Sequence, residues 1–237
     1  MTTQGRAAVA RAPIAVALDA RNVETAAGWA QAVQRYVTCL KIGLELFCRH
    51  GPSMVDAVRG GTGLDLFLDL KLHDIPATVA GAARSVARLR PTYVTVHAAG
   101  GADMVRAAVE AAPDVAIAGV TVLTSLSAEG LRAVGFADNP LDTACRLANV
   151  AVTAGARALV CSPHEVSVIR REVGPEITLI TPGVRPAGAS ADDQARIATP
   201  QQALADGADL LVVGRPITGD SDPGAAAARL AASLSRP

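Results

Sequence analysis

Short apolar runs of valine, isoleucine and leucine alternate along this chain with longer alanine-rich segments whose apolar residues recur at helical spacing. The alternation predicts repeated βα units on a parallel sheet. Eight strands are expected, roughly Ile14 to Asp19, Val37 to Ile42, Leu64 to Lys71, Tyr93 to His97, Val115 to Leu123, Ala156 to Cys161, Ile177 to Thr181 and Leu210 to Val213. Helices are expected near Val23 to Arg35, Pro52 to Arg59, Ala77 to Leu89, Ala102 to Ala111, Leu141 to Ala154, His164 to Glu172, Pro200 to Asp206 and Pro223 to Ser235. Eight units in 237 residues match an α/β fold of the single (β/α)8 TIM-barrel kind, for which about 250 residues is typical. A doubly wound open sheet is the alternative, but no G-x-G-x-x-G follows the first strand. No linker or shift in composition divides the chain, so one barrel domain over residues 13–237 is expected after a flexible N-terminus, residues 1–12. The longest irregular stretch, Pro182 to Thr199, has the length of a lid or binding loop.

The strictest alternation lies in residues 64–76, Leu-Asp-Leu-Phe-Leu-Asp-Leu-Lys-Leu-His-Asp-Ile-Pro. A strand turns successive side chains to opposite faces. Leu64, Leu66, Leu68, Leu70 and Leu72 therefore share a face that wants helices, while Asp65, Phe67, Asp69 and Lys71 share the other. Charge in such a strand is costly unless it is paired or functional. A lone Asp-x-Lys reads more readily as a structural ion pair at a strand end. Other predicted strands, however, end in Asp19, in Lys41, in His97 and in Thr124 with Ser125, and parity turns Ala15, Ala17 and Asp19 inward, as it does Val37, Cys39 and Lys41. Independent ion pairs would not gather at one end of every strand, whereas a barrel's active site is built there. After the last strand, Gly214 and Arg215 suit an anion: the glycine lets backbone N–H groups approach and the guanidinium grips phosphate bidentately. Arg185 and Gln194 in the long loop could close over the same phosphate. His97 reads as a hydrogen-bonded wall residue rather than a catalyst.

Composition narrows the function classes. Half the residues are hydrophobic and only 3% aromatic, so the core is aliphatic. Twenty-two basic and 22 acidic residues leave no surplus for nucleic acid or a membrane surface. Cys39, Cys48, Cys145 and Cys161 show no C-x-x-C spacing and no metal-ligand spacing with the four histidines, so no structural metal is expected. The opening residues lack a continuous apolar stretch, and no run approaches the length of a membrane span; a cytoplasmic location is expected.

Taken together, Asp19 in Ala-Leu-Asp, Lys41 in Leu-Lys-Ile-Gly, the run Leu68 to Thr78, Val122-Leu123-Thr124-Ser125, Thr181 to Pro186, Asp193-Gln194 and Val213-Gly214-Arg215-Pro216-Ile217 resemble orotidine 5′-phosphate decarboxylase of the bacterial type. The resemblance runs from Ile14 to Ile217 with the motifs in order, Ala77 standing where many relatives have asparagine. It implies a homodimeric barrel that converts orotidine 5′-monophosphate to UMP and CO2 in pyrimidine synthesis without metal or organic cofactor. Lys71 would be the proton donor to C6, Asp69 would lie against the substrate carboxylate, and Asp74 would reach in from the partner subunit to complete an array with Lys41. Asp19, Lys41 and Thr78 would bind ribose, with Thr78 also crossing the interface. Thr124 and Ile75 would contact substrate, Thr124 at the pyrimidine, while Arg185, Gln194, Gly214 and Arg215 would hold the phosphate.

Three alternatives compete. Metal-dependent sugar-phosphate enzymes of the same superfamily share Asp-x-Lys-x-x-Asp but place a glutamate, a hard oxygen ligand, where this chain has Lys41. A Schiff-base aldolase would need an amine less basic than one flanked by carboxylates. A non-catalytic nucleotide-binding barrel would need some defect in a charged motif that is complete here.

Overall fold

The structure, a computed structural model, describes residues 11–136, 139–185 and 198–234. Its centre is a closed barrel of eight parallel strands in sequence order: β1 (Ala12–Ala17), β2 (Val37–Gly43), β3 (Asp65–Leu72), β4 (Tyr93–His97), β5 (Ala116–Val120), β6 (Ala158–Val160), β7 (Thr178–Thr181) and β8 (Leu210–Val213). The expected TIM-barrel fold is what forms, and β8 closes on β1 through the Val16↔Val213 register. Met1 to Ala10, most of the tail expected to be flexible, lie outside the described residues, and Ala12 already pairs with Val37. No helix among the described residues is long and apolar enough to cross a membrane.

Two apolar layers follow from strand parity. Ile14, Val16, Leu18, Leu40, Ile42, Leu64, Leu66 and Leu68 are buried in the cluster between barrel and helices. Ala15, Cys39, Phe67, Ala118, Ala158, Ile180 and Leu210 fill the barrel interior, where Phe67 and Tyr93 meet edge to face with centroids 5.9 Å apart. Four of these seven are alanine or cysteine, and Phe67, the one ring among them, also lines the cavity.

The helices depart from expectation in two places. Leu44–His50 starts directly after β2, where the sequence predicted none before Pro52. Ala128–Ala133 also forms, capped by the Ser127 side chain accepting from the Gly130 N–H. Both are too short for a 3.6-residue period to stand out. β5 ends at Val120, so Val122, Leu123 and Thr124 follow as irregular backbone over the cavity rather than as strand.

The largest local departure is in β3. It pairs with β4 as Phe67↔Tyr93 and Leu68↔Val94, then as Leu72↔Val96, so four residues advance on β3 against two on β4. The surplus is absorbed in a bulge, where Lys71 takes a left-handed φ of 48°. An even number of extra residues preserves parity: Leu70 stays in the outer layer with Leu72 against it.

Candidate active site

The C-terminal ends of the strands open into a cavity of about 470 Å³, the usual address of function in this fold. One wall is a charge array. Lys41 Nζ lies 3.6 Å from Asp19 Oδ1 and 3.3 Å from Asp69 Oδ2, and Lys71 Nζ lies 2.7 Å from Asp69 Oδ1. Carboxylate and ammonium thus alternate, Asp19–Lys41–Asp69–Lys71, across β1, β2 and β3.

The backbone explains the convergence. Ala17 pairs with Lys41 and Gly43 with Asp69, which stacks the ends of three neighbouring strands at one level. Gly43 is part of that device. A Cβ there would sit 2.8 Å from Asp19 Oδ1 and 3.1 Å from Lys41 Nζ, so only glycine lets the pair close over β2. Sequence reasoning missed it because nothing local distinguishes this glycine from a strand terminator.

Lys41 is buried and the Asp69 side chain is 13% exposed, whereas the Asp19 side chain is 57% exposed. Burial pushes the Asp69 carboxyl up, but the Lys41 and Lys71 ammonium groups and hydrogen bonds from Lys71 and Thr95 outweigh it. The group ionises below the usual carboxylate range. Cys161 also lines the cavity, and there burial drives the thiol pKa upward, so it is a neutral wall and no thiolate nucleophile.

Arg185, Gly214 and Arg215 line the same cavity. Arg185 is buried and Arg215 exposed. A Cβ on Gly214 would meet only Ala17 Cβ at 3.6 Å, an ordinary contact, so what the glycine keeps clear is the cavity itself. Thr124 lines the cavity as well.

Asp74, Ile75 and Thr78 do not line this chain's cavity. All three are exposed; Asp74 Oδ1 accepts from the Ile75 N–H at 2.6 Å, and the Ile75 side chain is uncovered, at 67% exposure. Gln194 lies outside the described residues. His97 is not among the lining residues either; its ring packs on His73 with centroids 5.3 Å apart. Burial, then His73 and Lys71, lower the His97 pKa against an opposing pull from Asp69.

The model of the orotidine 5′-phosphate decarboxylase / HUMPS family matches residues 12–230. The chain belongs to that family. It is 68% identical to the orotidine 5′-phosphate decarboxylase of Thermobifida fusca (strain YX), over 95% of this chain and 97% of that one. The enzyme of the same name from Frankia casuarinae is 60% identical over 95% of this chain and 88% of the relative. A crystal structure of orotidine 5′-phosphate decarboxylase from Lactobacillus acidophilus superposes with a TM-score of 0.82 at 33% identity, covering 94% of this chain and 99% of that one. As a member of this decarboxylase family the protein is an enzyme, a carboxy-lyase.

Proposed function

We propose that the protein decarboxylates orotidine 5′-monophosphate to UMP in pyrimidine synthesis, as a cytoplasmic homodimer and without metal or organic cofactor. The observation that carries this is the Asp19–Lys41–Asp69–Lys71 array on the wall of one cavity that Arg185, Gly214 and Arg215 also line. The family also spans sugar-phosphate chemistry, and Lys41 separates the two. Its ammonium sits between the Asp19 and Asp69 carboxylates, where a metal-dependent relative needs an oxygen ligand, and it would repel a divalent cation.

Cleavage of the C6–carboxylate bond leaves its electron pair on C6 as CO2 departs. Lys71 Nζ gives a proton to that carbon and becomes the neutral amine. With no adjacent electron sink in the ring, a preorganised ammonium is the main stabiliser of the developing charge. Asp69, beside the departing carboxylate, adds repulsion that vanishes with neutral CO2. At ~4 Å and an effective dielectric near 20 it amounts to roughly 4 kcal/mol, or about three decades of rate if none persists in the transition state. Phosphate held by Arg185, Gln194, Gly214 and Arg215 supplies remote binding energy that seats the ring in its charged pocket. Asp19 and Lys41 hold the ribose, and Thr124 the pyrimidine.

Asp74 and Thr78 act across a dimer interface, with Ile75 beside them against the substrate. Their exposure supports this, as do the uncovered Leu44 and Ile75 side chains at the ends of neighbouring strands β2 and β3. The test is loss of orotate absorbance on adding orotidine 5′-monophosphate, with and without EDTA. Turnover unchanged by EDTA is expected. EDTA-sensitive activity on a keto-sugar phosphate would overturn the reading, and tight UMP binding without turnover would make the protein a binder.

A further inference from the structure

Thr95 of β4 is fully buried and stands opposite the bulge in β3. Its hydroxyl accepts the backbone N–H of Lys71 at 2.8 Å and lies 3.1 Å from Asp69 Oδ1. The direction of each bond is forced. A backbone N–H can only donate and an ionised carboxylate can only accept, so the hydroxyl proton points at Asp69. The same Asp69 oxygen accepts the Lys71 ammonium at 2.7 Å. The result is a closed ring: Lys71 N–H to Thr95 Oγ1, Thr95 O–H to Asp69 Oδ1, and Lys71 Nζ back to Asp69 Oδ1.

That ring sits where the backbone needs it. Between Leu68 and Leu72 the β3–β4 register is interrupted, and there the threonine hydroxyl accepts the Lys71 N–H. Lys71 is one of two non-glycine residues with positive φ among the described residues, a conformation a long side chain adopts only when its surroundings over-determine it. One hydroxyl therefore fixes both the backbone from which the lysine projects and the carboxylate to which its ammonium is tethered.

We propose that Thr95 is a positioning residue for the decarboxylation, holding the β3 bulge so that Lys71 Nζ is presented to the reacting carbon and Asp69 stays in register beside it. This rests on the reading of Lys71 as proton donor. A valine at this position keeps the shape and removes both hydrogen bonds. A serine restores both without the methyl group.

The experiment is steady-state kinetics of wild type, Thr95→Val and Thr95→Ser on orotidine 5′-monophosphate, with UMP inhibition constants and thermal unfolding alongside. Thr95→Val should lower kcat by about 100-fold or more, the scale of a misplaced reacting group. KM and the UMP inhibition constant should stay within about threefold, because ribose and phosphate contacts are untouched. Thr95→Ser should recover kcat to within about fivefold of wild type. The acidic limb of the Thr95→Val pH–rate profile should move to higher pH, since Asp69 loses a bond that favours its ionised form. If the valine protein does not fold, Thr95→Cys, whose thiol is a weak donor and acceptor, should show the same loss of kcat at unchanged KM. Valine or cysteine variants with wild-type kcat overturn the proposal. So does a serine variant as impaired as valine, which would assign the effect to packing. An inert wild type overturns the decarboxylase reading and this assignment together, whereas an active wild type beside an unimpaired valine variant overturns this assignment alone.

Discussion

The two ends of the barrel use partly buried cations in opposite ways. At the N-terminal ends of β7 and β8, all five N–H donors of Arg170 are directed at protein acceptors: the Gly174, Ile177 and Gly207 carbonyls and the Asp209 carboxylate. Asp209 in turn accepts the Leu179 N–H at 2.7 Å. At the C-terminal mouth, Lys71 Nζ has one hydrogen-bond acceptor among the described residues, Asp69 Oδ1, and its other donors are left at a cavity wall. A closed cluster ties two strand entrances together. An open one leaves ammonium donors at a cavity, at the end of the barrel where chemistry belongs.

Mutation should separate the two ends. Lys71→Ala is expected to lower kcat/KM by about 10⁴-fold, since it removes the proposed proton donor and the charge proposed to stabilise C6, while the unfolding midpoint stays near that of wild type. Comparable activity in that variant would move the chemistry elsewhere. Asp74 lies outside this chain's cavity, and on the proposed reading it completes the cavity of a partner subunit. Mixing inactive Lys71→Ala and Asp74→Ala proteins under subunit exchange should therefore restore activity, as each hybrid holds one intact site. No recovery despite proven exchange would mean an unshared site. Arg170→Met should do the reverse of the lysine change, destabilising the fold by about 3 kcal/mol in denaturant melts by stranding carbonyls and a carboxylate. Its folded fraction should turn over normally, and a large loss of kcat at full stability would erase the distinction between the two ends.

The barrel and the charged wall were legible in the sequence because both are written in strand parity. Ala15, Cys39 and Phe67 face inward and Ile14, Val16 and Leu66 outward as alternation requires. Asp19, Lys41, Asp69 and Lys71 meet because all four lie at or near the C-terminal ends of three neighbouring strands, β1, β2 and β3. The bulge was not legible, since an even surplus of residues leaves the leucine alternation intact while displacing the register with β4. Parity along β4 says nothing of what Thr95 bonds, for its partners lie 24 and 26 residues away across a strand pair, a relation that spacing does not encode. Gly43 escaped for the same reason: what needs its missing side chain belongs largely to β1. His97 marks the limit of parity, for its ring turns to His73 instead of the cavity.

The smallest predicted effect is on stability against pH. The fold lowers the His97 pKa below its ordinary 6.5, first by burial and then through His73 and Lys71. The unfolded chain therefore takes up a proton that the folded chain refuses. Stability should be fully present above pH 6.5, fall as the pH drops below it, and level off beneath the folded-state pKa. His97→Asn should flatten that slope in denaturant melts between neutral and mildly acid pH. An unchanged slope would remove this histidine from the acid response.

The central claim is that an ammonium held by alternating carboxylates stabilises negative charge at C6 without a metal. By microscopic reversibility, the same group should also help remove the C6 proton from bound UMP. The measurement is exchange of the UMP C6 hydrogen for deuterium in D2O with EDTA present, followed by proton NMR. The wild-type protein should catalyse exchange and Lys71→Ala, still binding UMP, should not. Equal exchange by both proteins, or exchange that requires an added divalent cation, would contradict the account.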